Sequence, residues 1–136
     1  MTFTIYTSGA TKNVPLEFSK QWRKDVAEYY KNSDCKVNVF IPDNYFMYDT
    51  NEPKTTKQCR THFLHKVKTS DIVIVNLSET LNSVGTGMEV QKAIDNDIPV
   101  IGFGTKNVYP WLEDSCDVIF DTIQEALEYV TEYYIL

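Results

Sequence analysis

The chain has 136 residues, near the size of one domain and enough to bury a core without disulfides or a structural metal. Its hydrophobic fraction of 43% is ordinary for a globular protein. A net charge of −6 argues against a nucleic-acid partner, which calls for a basic stripe. The nearest basic patch, Lys54, Lys57, Arg60, Lys66 and Lys68, reads as a solvated helix face that could still hold a small anion.

Phe3 to Tyr6 reads as a first strand. A helix follows from about Pro15 to Lys31, with Pro15 suited to its first turn. Phe18, Trp22, Val26 and Tyr29 recur there at helical spacing. Lys36 to Ile41 reads as a second strand, ended by Pro42. The segment from Pro42 to Thr56 is a long polar and aromatic loop, and loops of that length in small domains are often functional. A helix from about Lys57 to Thr69 turns Phe63, Leu64 and Val67 inward. Asp71 to Asn76 is a continuous β-branched run, as expected of a strand buried on both faces. A helix from about Gly87 to Asn96 buries Val90, Ala93 and Ile94. Pro99 to Phe103 and Asp117 to Phe120 read as the last two strands. Thr122 with Glu125 makes a capping box for a final helix that runs to Tyr134. Strands separated by helices imply a doubly wound α/β sandwich of three layers. Its five-stranded parallel sheet is expected in the order 2-1-3-4-5, flavodoxin- or Rossmann-like, with residues 1–136 as a single domain.

The five glycines, Gly9, Gly85, Gly87, Gly102 and Gly104, each fall at or just after the carboxyl end of an expected strand, the edge where open α/β sheets bind ligands. They are open to two readings, as turn residues or as points of close approach to a ligand. Gly85-Thr86-Gly87 lacks the third glycine of a dinucleotide fingerprint, and no P-loop is present. Ser83, Thr86 and the free N–H groups of the helix start could still hold a phosphate. Glu89 falls in the first turn of that helix, where the dipole favours its ionised form. It is either a nucleophile aimed into a cleft or a solvated residue that favours the helix start.

Cys35, Cys59 and Cys116 are odd in number and form no CxxC pair, so they read as free thiols of a reducing compartment. The N-terminus lacks the pattern of a signal peptide, and no apolar run is long enough to span a membrane. A cytoplasmic protein is expected. Cys59, His62 and His65, at steps of three along a helix, spread around it and lack a fourth ligand, so no metal is expected. His62 is read as a phosphate contact or general acid, or as a plain surface histidine. Tyr45, Phe46, Met47 and Tyr48 either stack on a ligand or pack down on the core. Tyr129, Tyr133 and Tyr134 are too many for one core face and suggest a subunit interface.

Taken together, these residues resemble the nucleoside 2-deoxyribosyltransferase family and its relatives, the 2'-deoxynucleoside 5'-monophosphate N-glycosidases. The resemblance runs over most of the chain. It includes Ile5-Tyr6-Thr7-Ser8-Gly9, Ser70-Asp71-Ile72-Val73-Ile74-Val75-Asn76, Ser83-x-Gly85-x-Gly87-x-Glu89 with Ala93, and Ile98-Pro99-Val100-Ile101. It implies that Glu89 attacks C1' of a deoxyribose, expels the base and forms a glycosyl ester, with Tyr6 orienting it. The chemistry matches retaining glycoside hydrolysis. The resemblance further implies that Gly9, Ser83, Gly85, Thr86 and Gly87 hold sugar or phosphate. It implies no cofactor, and a homodimer or larger homo-oligomer whose neighbour completes the site. Ser83 stands where transferases carry aspartate and the nucleotide hydrolases carry serine. Phe63 stands where an acidic residue is usual, so His62, His65, Asp43 or Asp49 would have to supply the acid. Phe63 also motivates the alternative of a non-catalytic nucleotide-binding or sequestering module.

Overall fold

The computed structural model describes residues 2–45 and 56–136. Five parallel strands, β1 (Phe3–Gly9), β2 (Val37–Phe40), β3 (Ile72–Asn76), β4 (Val100–Phe103) and β5 (Val118–Phe120), form one sheet. Its order, β2-β1-β3-β4-β5, is the expected one. All five residues of β3 are buried, as a strand covered on both faces requires. Register is fixed from Ile5 opposite Ile72 to Gly9 opposite Asn76. At the amino edge two aspartates staple neighbouring strands: Asp71 accepts from the Thr4 amide at 2.7 Å and Asp117 from the Val100 amide at 2.8 Å.

Helices α1 (Leu16–Lys31) and α5 (Ile123–Val130) cover one face, packing Trp22, Val26, Leu127 and Val130 on Ile5, Ile72 and Ile74. Helices α2 (Thr56–Lys68), α3 (Val84–Asp95) and α4 (Pro110–Ser115) cover the other, where Val67, Val90, Ala93 and Leu112 meet Tyr6, Val73 and Val75. The Thr122 hydroxyl accepts from the Glu125 amide at 3.3 Å, the cap expected for α5. The helix then widens into a π turn over Thr131–Ile135.

Three differences from the sequence expectation affect the site. α3 begins at Val84, three residues early, so Gly85 and Gly87 are helical rather than in a loop. The buried stripe of α1 is Ser19, Trp22, Arg23, Val26 and Tyr30, rotated from the expected one to include two polar residues. α4 was not expected; its sign is Pro110 at the first helical position, where a missing N–H costs nothing. The interior of the long loop, with Phe46, Met47, Tyr48 and Asp49, lies outside the described residues. Among the described residues, no helix is long and apolar enough to cross a membrane.

Candidate active site

The alternation of β1 turns Tyr6 and Ser8 to the face covered by α3. There they meet Glu89, although more than eighty positions separate it from either in the chain. The Tyr6 hydroxyl donates to Glu89 Oε2, and Ser8 Oγ donates to Oε1 at 2.6 Å. Each carboxylate oxygen therefore has a hydroxyl donor, the charge-assisted kind of bond that fixes orientation as well as energy. Tyr6 is fully buried, and its ring stacks on Phe40 at 5.2 Å between centroids and 18° between planes. Phe40 in turn stacks on Tyr45 at 5.0 Å and 9°. Tyr45 thus extends a column of rings outward from Tyr6.

Because α3 starts at Val84, Glu89 lies past the first turn, where the dipole effect has faded. Its charge is governed by its neighbours instead. Burial raises the Glu89 pKa above the ordinary carboxylate value; the bonds from Ser8 and Tyr6 and the nearby Arg23 cation pull it down, and Asp43 adds to the rise. Burial, and then the Glu89 charge, push the Tyr6 phenol well above its usual range, so it stays protonated and acts as a donor.

A second layer lies beneath. Arg23, 1% exposed, donates to Ser19 O at 2.7 Å, Ser19 Oγ at 2.9 Å and Gly9 O at 3.2 Å. Its Nη1 is 3.5 Å from Asp43 Oδ1, and Ser19 Oγ donates to Asp43 Oδ2 at 2.6 Å. Asp43 belongs to the short 3₁₀ turn Pro42–Asn44 that ends β2. Arg23, Ser8 and Asp43 were not singled out from the sequence as partners of Glu89. The two-residue step from Tyr6 marks Ser8, and an arginine between Trp22 and Val26 on the apolar face of α1 marks Arg23.

A cavity opens at this edge, lined by Glu89, Gly9, Arg23, Asp43, Phe63 and Gly85, with Cys59, Arg60 and Met88 among its other walls. A Cβ on Gly85 would meet nothing within 4 Å, so the helix presents open space to the cavity there. The remaining residues expected at the site lie elsewhere. Ser83 and Gly87 line a groove between α3 and α4, on the other side of α3. Ser83 Oγ is bonded to the hydroxyl of the buried Thr86 at 2.5 Å. His62 lies edge-on to Phe40 and Tyr45 at 5.7 and 5.3 Å and lines an outer groove of α2. Asp49 is outside the described residues. Gly102 and Gly104 have structural reasons: a Cβ at Gly102 would lie 2.8 Å from Cys116 Sγ, and Gly104 has φ +104°. Among the described residues no group of three or more His, Cys, Asp or Glu is placed to hold a metal ion.

Solved structures share this fold along almost the whole chain. A conserved protein from Enterococcus faecalis V583 superposes with a TM-score of 0.75 at 14% identity, over 97% of this chain and 99% of its own. A 2-desoxiribosyltransferase from Leishmania mexicana superposes with 0.69 at 19% identity, over 98% and 99%. The fold is that of the 2-deoxyribosyltransferases. The 2-deoxyribosyltransferase of the psychrotolerant bacterium Bacillus psychrosaccharolyticus superposes with 0.68 at 17% identity, over 93% and 91%. No family model matches the sequence, and no curated protein matches it.

Proposed function

We propose that the chain cleaves the N-glycosidic bond of 2'-deoxynucleosides or their 5'-monophosphates, with Glu89 as nucleophile. The observation that carries this reading is the Glu89 carboxylate in a cavity wall, with both oxygens held by hydroxyls from β1. A Glu89 oxygen attacks C1' as the C1'–N bond breaks. The bonding pair leaves with the base, which takes up a proton, and a glycosyl ester remains on Glu89. Water or a second base then opens the ester at C1' and frees the carboxylate. Phe63 in the cavity wall offers no proton, and both oxygens of Asp43 are engaged by Arg23 and Ser19. His62 and His65 line the outer groove of α2 instead, so the proton comes from solvent or from Asp49, which is outside the described residues. The 2-deoxyribosyltransferases that share the fold support the reading.

The test is chromatography of released base. The protein and its Glu89→Ala variant are incubated with each deoxynucleoside and each deoxynucleoside 5'-monophosphate, with and without a second free base. Release by the native protein and none by the variant is expected. Full activity in the variant overturns the mechanism. Release without an acceptor identifies a hydrolase, and release only with one a transferase. Nucleotide binding by calorimetry without any release would favour a non-catalytic binding module, the reading that Phe63 motivates.

A further inference from the structure

An arginine and an aspartate buried together beneath a candidate nucleophile call for an explanation, since taking charges out of water is costly and an apolar pair would often be more stable. Arg23 ties three parts of the fold to one point. Its guanidinium donates to the Ser19 carbonyl on α1 and the Gly9 carbonyl at the end of β1, and it faces Asp43 on the turn after β2. Both ends of the pair reach the wall of the cavity that holds Glu89. We infer that the Arg23–Asp43 pair positions the Glu89 carboxylate and sets its charge. Arg23 supplies the opposite charge beneath it and fixes the carbonyl edge of β1, while Asp43 holds Arg23 in place and limits its pull.

The charged or titratable groups around Glu89 are few among the described residues. β1 contributes Tyr6, α1 contributes Arg23, and the turn after β2 contributes Asp43. α2 contributes Cys59 and the exposed Arg60 to the same cavity wall, and α3 itself contributes Glu89 alone. Arg60 faces water, so its field is screened, and it serves as a control.

The inference rests on the proposed reaction only for its kinetic readout. Titration of the Glu89 carboxyl by ¹³C NMR, with Glu89→Gln to assign the signal, tests it without any turnover. Arg23→Gln removes the cation, and its titration is expected at higher pH than in the native protein. Asp43→Asn removes the anion but keeps an acceptor for Ser19, and its titration is expected at lower pH. Arg60→Gln is expected to move it less than Arg23→Gln. In kcat/KM profiles the acid limb should follow the same two directions. Should a single variant fail to fold, Arg23→Gln with Asp43→Asn leaves no unpaired charge. Its titration is expected above that of the native protein, because Arg23 outweighs Asp43 at Glu89. A purely structural pair would lower stability in both single variants with no opposed movement. Unmoved titration, or movement in one common direction, overturns the inference. Retained activity in Glu89→Ala would instead overturn the reaction and leave the NMR result standing.

Discussion

Glu89 is held at a cost to the fold, and replacing it with glutamine should show that cost. In the folded protein the carboxyl keeps its proton to higher pH than it does in the unfolded chain, because burial outweighs the donors around it. Between those two values the folded state binds more protons, so stability falls as pH rises through the interval. Above that interval the native protein carries the ionised group, and Glu89→Gln does not. The glutamine carbonyl accepts from one of the two hydroxyls, and its amide can donate to the other, which keeps the local bonding. Burying an ion costs several kcal/mol, and two charge-assisted hydrogen bonds return roughly 1.5–3 kcal/mol each. The remainder against the charge is on the order of 1–2 kcal/mol. For a chain of 136 residues the unfolding entropy is about 0.29 kcal/mol/K, so the variant should melt ~3–7 °C higher above that interval. Thermal melts from pH 4 to pH 8 check this. The two curves should converge at the acid end, where the native carboxyl is protonated too. A variant that melts lower at the alkaline end, or a gap that does not change with pH, would refute the reasoning.

Two further outcomes follow from the same geometry. Tyr6→Phe keeps the ring on Phe40 and removes one donor to Glu89, worth roughly 1.5–3 kcal/mol, so kcat/KM for base release should fall about 10- to 100-fold with little change in far-ultraviolet dichroism. Gly102→Ala forces a methyl to within 2.8 Å of Cys116 Sγ and 2.9 Å of Leu77 Cδ1, and urea melts should show a loss of about 1–3 kcal/mol. Cys116→Ala in the same chain should recover part of that loss; no recovery would place the strain elsewhere.

The sheet was legible because its strands announce themselves. β3 opens with the unbroken apolar run Ile72 to Val75 and α5 carries its own cap, so order and layers followed from the alternation of elements. The start of α3 was misplaced because glycine usually marks a loop, whereas Gly85 and Gly87 sit within the helix. α4 has only six residues, too few for any periodicity to register. At the site, Tyr6 and Glu89 came from family resemblance. Nothing in local spacing links residues that meet only after a sheet has formed. Arg23 escaped notice because a charged side chain on a helix is ordinarily solvated, and only the tertiary partner on the turn after β2 makes its burial tolerable. Ser83 shows the opposite case, a residue that fits a phosphate motif by position yet has its hydroxyl turned to Thr86.

The aspartates at the amino edge have a consequence for how this scaffold can change. Asp71 and Asp117 accept from the backbone of a neighbouring strand, so they hold alignment from the end of the sheet farthest from the cavity. A slip of one residue would turn every side chain of a strand to the wrong layer, and these two bonds oppose it without drawing on any residue around Glu89. The anchoring and the chemistry therefore occupy opposite rims of one sheet. Side chains around the cavity can thus change while the strands stay in step.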